Sequence, residues 1–236
     1  MAPAKLTRSL RVTGVRADGY HLIDAEMVTL GLADTLVFSE AAEASLDLDG
    51  VPIPPGPNLV LRALAAVGRT AHVRLTKRIP AGAGLGGGSS DAAAVLRWAG
   101  CDDVAVAVGL GADVPFCLLG GPRAQVRGIG EHVAPLDPAE VAGRPVTLLT
   151  PPIHVATPAV YRQWDAMGGP MADGPNDLEP AAIAVVPELA WWRDMLGNAT
   201  GEEPVLAGSG ATWFVHGAHE GVRVGGVEAV VTAMGS

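Results

Sequence analysis

The sequence contains few cysteines and few aromatic residues. Only Cys101 and Cys117 occur among 236 residues, and Phe, Trp and Tyr together make up 4% of the chain. Two cysteines without metal-ligand spacing exclude a disulfide scaffold and a cysteine-based metal site. Each cysteine lies beside an apolar run, so both are predicted to pack as small hydrophobic residues in a reducing cytosol.

Positive charge is also scarce. The chain has 16 Lys and Arg against 25 Asp and Glu, which gives a formal net charge of −9. Because it has no basic run and no basic face, nucleic-acid binding is excluded. An acidic protein can still bind a polyphosphate where the positive potential is local. That potential would come from main-chain amides, a metal ion and cations such as Lys5, Lys77 and Arg78.

No membrane segment is predicted, although 49% of the chain is hydrophobic and can form a substantial core. Residues 1–10 lack the apolar centre of a signal peptide. Residues 104–121 are almost uncharged and long enough to span a bilayer. Asp113, Pro115 and four glycines interrupt this stretch, which favours a buried region of strands and turns. The chain is therefore expected in the cytoplasm.

Glycine, by contrast, is concentrated in one place. Five of the seven residues at 82–88 are glycines, and Ser89, Ser90 and Asp91 follow directly. The alternating residues 71–77 before the glycines predict a strand. The alanine-rich residues 92–99 after them predict a helix with one buried face. Ser90 or Asp91 is predicted as its N-cap, and Gly100 as its end.

A glycine loop between a strand and a helix N-terminus is typical of a phosphate-binding site. Glycine permits positive φ angles and lets the backbone approach an anion closely. The unpaired N–H groups and the helix dipole then favour negative charge at that point. A flexible surface loop is the alternative interpretation, since short glycine motifs also occur without a ligand.

The residues alone leave more than one type of phosphate loop open. A P-loop ends in Gly-Lys-Ser/Thr, and the loop contains no lysine. The dinucleotide pattern G-x-G-x-x-G matches Gly82, Gly84 and Gly87. In that fold an acid at the end of the next strand binds ribose, whereas Asp102 and Asp103 precede the next apolar run. An NAD(P)-binding oxidoreductase therefore stays an alternative.

The rest of the chain alternates between strand and helix patterns. Further strands are predicted over 2–12, 25–32, 35–39, 45–51, 123–127 and 146–150, and a strand, glycine turn and strand over 204–215. Helices are predicted over 58–67 with Asn58 as N-cap, over 157–164, from the polar turn 176–180 to 186, and over 188–196. Residues 51–57 form a proline-rich connector, and a soft boundary lies near Gly143.

Four side chains are candidates for chemistry on their own patterns. Asp113 lies within an apolar stretch, where a carboxylate is costly unless it is paired or functional; a helix or turn cap is the alternative. Tyr20 and His21 follow a turn and could stack on and hydrogen-bond a planar ring, or be a half-buried tyrosine and a surface histidine. Lys5, at the start of a strand, is expected to be a solvated cation on composition alone.

Three stretches, at 3–5, 80–91 and 207–211, together resemble the three motifs of the GHMP kinase superfamily. Within it, four longer strings are similar to the 4-diphosphocytidyl-2-C-methyl-D-erythritol kinase family, the ATP-dependent kinases of the non-mevalonate isoprenoid pathway. These strings are GVRADGYH at 14–21, KRIPAGAGLGGGSS at 77–90, LGADVPF at 110–116 and NDLEP at 176–180.

The resemblance implies an α+β fold with two lobes. Residues 1–143 would form the N-terminal ATP-binding lobe, with a mixed sheet and helices, and residues 144–236 a smaller α/β-sandwich lobe. It also implies a kinase that uses ATP and Mg²⁺ to phosphorylate the 2-hydroxyl of a small cytidyl diphosphate substrate. Such an enzyme would be a cytoplasmic monomer or homodimer. A non-catalytic nucleotide-binding relative is a further alternative.

The residue roles follow from the same resemblance. Lys5 and Asp113 would be catalytic. ATP would be bound by Asn58, Lys77, Pro80, Ala81, Gly82, Ala83, Gly84, Leu85, Gly86, Gly87, Gly88, Ser89 and Ser90. The cytidyl substrate would be bound by Thr7, Tyr20, His21, Asp113, Thr157, Tyr161, Gly208, Ser209 and Gly210. Mg²⁺ would lie near Ser89 or Ser90.

The chain departs from the family pattern in three places. Thr7 stands where the family usually has an asparagine, the span 92–109 is shorter, and the C-terminal half is abbreviated. The substitution at Thr7 and the shortened span are what keep the non-catalytic relative open.

Overall fold

The computed structural model describes residues 1–52 and 56–235. Its strands are β1 Ala2–Val15, β2 His21–Ser39, β3 Ser45–Gly50, β4 His72–Lys77, β5 Arg123–Gly128, β6 His132–Pro135, β7 Pro145–Leu149, β8 Val205–Leu206, β9 Trp213–His216, β10 Arg223–Val224, β11 Val227–Glu228 and β12 Val230–Ala233. Its helices are α1 Leu59–Ala66, α2 Gly87–Ala99, α3 Val104–Leu110, α4 Val114–Leu119, α5 Thr157–Ala166, α6 Glu179–Val185 and α7 Glu188–Thr200. Part of the proline-rich connector predicted over 51–57 lies outside the described residues. The predicted α+β class is confirmed.

The N-terminal sheet is built around one long strand, β2. The strand order is β3-β4-β2-β5-β6, and β1 pairs with β2 outside this path. Only the β3–β4 pair is parallel, so the sheet is mixed as predicted. The break predicted in β2 at residues 32–34 is wrong, because Ala33 and Asp34 are buried and the strand continues through them to pair with β4.

A second sheet follows in sequence. It has the order β12-β7-β9-β8 with antiparallel pairs throughout. The two sheets meet where Leu30 bridges Met234 and where the Gly235 amide donates to the Thr29 carbonyl at 2.9 Å. A large apolar cluster joins residues of β1, β2 and β5 to α5, α6, α7 and the second sheet, with Trp213 fully buried. The division into two domains at Gly143 stays a prediction.

Helix α2 begins earlier than predicted. Its N-cap is Gly86, with a left-handed φ of 67°, so the helix starts inside the glycine loop. Ser90 and Asp91 are therefore not caps, and both are buried in the body of the helix. Gly100 ends the helix with a φ of 70°, as predicted. Asn58 caps α1 as predicted, accepting a hydrogen bond from the Val60 amide at 2.8 Å.

The apolar stretch 104–121 forms two short helices, and the prediction of strands and turns there is wrong. The Asp103 carboxylate accepts from the Ala105 amide at 2.8 Å and caps α3. Gly111 ends α3, and Pro115 lies in the first turn of α4, where its missing N–H costs nothing. Among the described residues, no helix is both long and apolar enough to cross a bilayer.

Candidate active site

One cavity of about 950 Å³ collects almost all of the predicted site residues. It lies among the glycine loop, the start of β1, the start of β2, the beginning of α5 and the loop at 207–211. The predicted residues that line it are Lys5, Thr7, Tyr20, His21, Asn58, Lys77, residues 80–84 and 86–89, Asp113, Thr157, Tyr161, Gly208 and Ser209. Sequence positions up to two hundred residues apart are thus brought to one surface.

Three predicted residues do not line the cavity. Leu85 is buried in an apolar cluster, although its carbonyl accepts from the Lys5 amide at 3.0 Å. The buried Ser90 hydroxyl donates to the Pro3 carbonyl at 2.6 Å. Gly210 has a φ of 96°, a left-handed backbone conformation within the 207–211 loop. These residues support the loops instead of facing the cavity.

The glycine loop is held between β1 and the 207–211 loop, and two of its glycines are required by that packing. At Gly84 a Cβ would lie 2.3 Å from the Ala207 carbonyl oxygen, and at Gly86 it would lie 2.7 Å from Lys5 Cγ. Both residues also have positive φ angles, of 77° and 67°. Any side chain there would push the loop away from its neighbours. The alternative of a flexible surface loop is therefore wrong.

Lys5 and Asp113 form an ion pair in the cavity wall, with Nζ 3.3 Å from Oδ2. Lys5 is 4% exposed, so the prediction of a solvated cation is wrong. Its ammonium also donates to Thr7 Oγ1 at 3.1 Å. Asp113 precedes α4 but makes no capping hydrogen bond, so its carboxylate is free to face Lys5. A paired carboxylate in the cavity agrees with the functional interpretation of Asp113.

Lys77 is buried below the glycine loop between two acids. Its ammonium donates to Asp91 Oδ2 at 2.8 Å and to Asp34 Oδ2. Asp34 in turn accepts from the Ile79 amide at 2.9 Å. These two acids were not predicted as site residues. Asp34 was assigned to a break between strands and Asp91 to a helix cap, and neither pattern indicates a shared cation.

Among the described residues, Asp91 is the member of this group whose carboxyl group has a raised pKa and an unpaired oxygen. Burial raises the pKa of its carboxyl group to about 6, the Asp34 charge adds to the shift, and the attraction of Lys77 opposes it. Its Oδ1 atom has no hydrogen-bond partner in the part of the chain that the structure describes. Asp91 is also one of the residues that line the cavity, so its carboxyl group lies close to the glycine loop.

An aromatic cluster forms the other end of the cavity. The His21 and Tyr161 rings lie 4.6 Å apart at an angle of 32°. His21 Nε2 is 2.8 Å from Asp165 Oδ1. Tyr20 is 58% exposed, with the Arg16 guanidinium 5.4 Å from its ring centre. The alternative of a surface histidine is wrong, because the His21 side chain is only 10% exposed.

Asp165 was missed by the sequence analysis, although a signal for it exists. It lies four residues after Tyr161 on α5, and residues at that spacing share one helix face. The assignment of Tyr161 to the cavity therefore also brings Asp165 to it. Arg162, the residue after Tyr161, lines the cavity as well.

The 207–211 loop is fixed from below by Asn176. Its side-chain amide donates to the Leu206 and Gly208 carbonyls at 2.8 and 2.7 Å. The Thr157 and Ser209 hydroxyls lie 2.7 Å apart and join this loop to the start of α5. The polar turn predicted at 176–180 thus holds a cavity loop in place.

The dinucleotide-binding alternative does not fit the order of elements. The glycine loop joins β4 to α2, but α2 is followed by α3 and α4 instead of a strand parallel to β4. The parallel neighbour of β4 is β3, which precedes it. A βαβ unit with a ribose-binding acid after its second strand is therefore missing at this loop.

Comparison with known proteins identifies relatives of this chain. The profile of the GHMP kinases N terminal domain matches residues 58–121. A 4-diphosphocytidyl-2-C-methyl-D-erythritol kinase from Ruegeria pomeroyi is 39% identical, over 90% of this chain and 86% of its own length. The kinase of the same name from Paracoccus denitrificans is 41% identical, over 90% of this chain and 84% of its own length.

Solved structures are similar to this chain as well. A crystal structure of 4-(cytidine 5'-diphospho)-2C-methyl-D-erythritol kinase is 34% identical with a TM-score of 0.74, and the match covers 100% of this chain and 98% of that one. A mevalonate kinase from Methanococcus jannaschii has a TM-score of 0.59 at 13% identity, covering 99% and 96% of the two chains. The second likeness concerns the fold alone.

The raised pKa of Asp91 predicts how stability depends on pH. Between its unfolded value of 3.8 and about 6, the folded protein binds more protons than the unfolded one, so rising pH destabilises it. Asp91→Asn removes this titration. The stability of the variant relative to the wild type should therefore increase with pH. The difference between their free energies of unfolding should rise by on the order of 2 kcal/mol from about pH 4 to about pH 7.

Urea unfolding in metal-free buffer at the two pH values measures this difference. Asp102→Asn is the matched control, because it makes the same change at an exposed carboxyl. The raised pKa of Asp91 is contradicted if the difference in free energy of unfolding between variant and wild type is equal at both pH values, or more favourable to the variant at the lower one.

Proposed function

The chain belongs to the 4-diphosphocytidyl-2-C-methyl-D-erythritol kinase family, and on that premise we propose that it phosphorylates the 2-hydroxyl of 4-diphosphocytidyl-2-C-methyl-D-erythritol with ATP. The observation that carries the proposal is the ion pair between Lys5 and Asp113, at 3.3 Å. It lies in the wall of the cavity that the glycine loop also lines. A reacting group held by the loop would therefore meet a carboxylate and an ammonium together.

The phosphate end of the site is the start of α2. Residues 86–89 line the cavity, and α2 begins among them. The first N–H groups of a helix have no partner within the helix. They and the helix dipole bind negative charge. Gly84 and Gly86 let the loop lie against Ala207 and Lys5 without a clash. The loop is thus preorganised for phosphate before any ligand arrives.

Asp113 is the proposed general base, and Lys5 the neighbouring charge. Phosphoryl transfer depends mainly on positioning and on positive charge around the moving group. The Asp113 carboxylate accepts the proton of the attacking hydroxyl or orients it. The Lys5 ammonium holds that carboxylate in place and offsets negative charge that develops on the phosphoryl group.

Thr7 belongs to the same arrangement. Its hydroxyl accepts a hydrogen bond from Lys5 Nζ at 3.1 Å, and the residue is 2% exposed. The side chain therefore orients the ammonium, whatever further contact it makes with the substrate. The substitution of the usual asparagine leaves the catalytic pair supported, which favours an active enzyme over a non-catalytic relative.

The residues beside the glycine loop fit a magnesium ion that is bound together with phosphate. Among the described residues, no three His, Cys, Asp or Glu side chains are grouped to hold a metal alone. Mg²⁺ commonly takes only one or two carboxylates when phosphates supply other ligands. Asp91, with its unpaired Oδ1, and the Ser89 hydroxyl would hold the ion. The ion would offset phosphate charge. Ser90 is directed to Pro3 instead.

The aromatic end of the cavity is proposed to bind cytosine. Tyr20 is exposed at the cavity wall and can stack on a base, and the His21 and Tyr161 rings already lie 4.6 Å apart. Burial raises the pKa of Tyr161, so its phenol stays neutral. The two ends of the cavity then place the substrate between a stacking surface and the Asp113 carboxylate.

The proposed reaction is tested by ADP release. A coupled assay with ATP and the cytidyl substrate should show turnover that depends on both. Asp113→Asn should lower kcat by ~10²–10⁴-fold, because the hydroxyl loses its base, while ATP binding measured by calorimetry stays close to that of the wild type. Asp102→Asn, an exposed acid on the neighbouring segment, serves as the control. Retained turnover in Asp113→Asn removes this residue from the role, and ATP binding without turnover in the wild type favours the non-catalytic relative.

Tyr20 tests the cytosine end separately. Tyr20→Ala should raise the KM for the cytidyl substrate roughly tenfold, because one stacked base contributes about 1–3 kcal/mol. Tyr20→Phe keeps the ring and should behave like the wild type, and the KM for ATP should not change in either variant. An unchanged KM for the cytidyl substrate in Tyr20→Ala shows that the tyrosine does not stack on the base.

A further inference from the structure

We propose that Asp165 is a positioning residue that holds the His21 imidazole in one tautomer and thereby gives the site its preference for cytosine over uracil. The preference for a base rests on the proposed function. The tautomer itself depends only on contacts within the chain and can be measured without a ligand.

Three neighbours fix the position of the His21 ring. Asp165 Oδ1 lies 2.8 Å from Nε2. The Tyr161 ring lies 4.6 Å away at 32°, and the Trp164 ring lies 5.7 Å away nearly at a right angle. The His21 side chain is only 10% exposed. The ring therefore has little freedom to turn while the contact to Asp165 is kept.

The three neighbours come from one helix. Tyr161, Trp164 and Asp165 all lie on α5, and the spacings of three and four residues place the last two close to the first. The start of α5 is joined to the 207–211 loop by the contact between Thr157 and Ser209 at 2.7 Å. Asp165 is thus carried on a regular element that is itself tied to the cavity.

The contact determines which ring nitrogen carries the proton. An ionised carboxylate can only accept hydrogen bonds, so Nε2 must donate and must carry hydrogen. In a neutral imidazole the other nitrogen, Nδ1, then has a lone pair and acts as an acceptor. Without Asp165 either nitrogen could carry the proton, and the polarity of the ring edge would not be fixed.

A fixed acceptor distinguishes the two pyrimidines. Cytosine has an exocyclic amino group that donates, whereas uracil has a carbonyl oxygen at the same position that only accepts. Nδ1 as an acceptor would bind the amino group and would face the carbonyl with an unfavourable pairing. Sites built around such hydrogen bonds discriminate against a ligand that leaves a buried group unpaired.

The position is suitable for mutation. The Asp165 side chain is 48% exposed, so its loss removes no buried charge and leaves the fold intact. Thermal unfolding by circular dichroism checks this. Asp165→Ala removes the acceptor, and Asp165→Glu retains a carboxylate that can reach Nε2. Asp173→Ala removes the same charge from an exposed residue outside the cavity.

Calorimetric titration with CDP and with UDP at about pH 8 tests the preference. The wild type should bind CDP more tightly. Asp165→Ala should lower the ratio of the two affinities roughly tenfold, as expected for one neutral hydrogen bond to cytosine and the loss of the unfavourable pairing with uracil. Asp165→Glu should restore much of the ratio, and Asp173→Ala should leave it unchanged. If Asp165→Ala keeps the full preference for CDP, the proposed role of Asp165 is wrong.

Nitrogen-15 NMR of the histidine rings gives a readout that a merely structural role would not change. In the free wild type, His21 should show the tautomer protonated on Nε2, and Asp165→Ala should show a mixture. The same tautomer in both proteins overturns the positioning role. A wild type without a preference for CDP overturns the cytidyl substrate of the proposed function, and with it the selectivity assigned to Asp165.

Discussion

The site depends on the close packing of the Lys5 side chain beneath Gly86. A Cβ at Gly86 would lie 2.7 Å from Lys5 Cγ, so the buried position of the lysine requires the absence of a side chain at residue 86. The loop, in turn, is held against Ala207 at Gly84. The two contacts bring an ammonium, a helix N-terminus and the 207–211 loop to one cavity. Catalysis by positioning requires such elements to be close before the substrate binds.

The lysines of the site are each paired with acidic side chains, and the whole chain is acidic. Lys5 is opposed by Asp113, and Lys77 by Asp34 and Asp91. Two ammonium groups thus lie close to the glycine loop in a protein of net charge −9. The acidic composition predicted that a phosphate site would need local cations, but it did not predict which acids would pair with them. Burial raises the pKa of Asp91, and the charge of Asp34, the second acid on the same cation, adds to the shift.

Local order was largely predictable, and long-range partners were not. The strand, glycine loop and helix at 72–99 follow from glycine content and periodicity, because these are properties of neighbouring residues. The burial of Lys5 depends on residues about eighty and one hundred positions away, so composition gave the wrong answer. Resemblance to a family indicated Lys5 and Asp113, which the structure brings together at 3.3 Å. It did not indicate Asp34 or Asp165, because their contacts with Lys77 and His21 join distant parts of the sequence.

Thr7 and Asp165 lie towards opposite ends of the cavity, and each contacts a side chain that lines it. Thr7 stands where the family usually has an asparagine, and it offers an oxygen to the Lys5 ammonium at 3.1 Å, which supports the proposed catalytic pair. Asp165 contacts His21 at the opposite end of the cavity, with 2.8 Å between Oδ1 and Nε2. Because the two contacts involve different residues, a change at one end need not disturb the other. The proposed specificity for the base and the proposed transfer of the phosphoryl group would therefore vary separately on this scaffold.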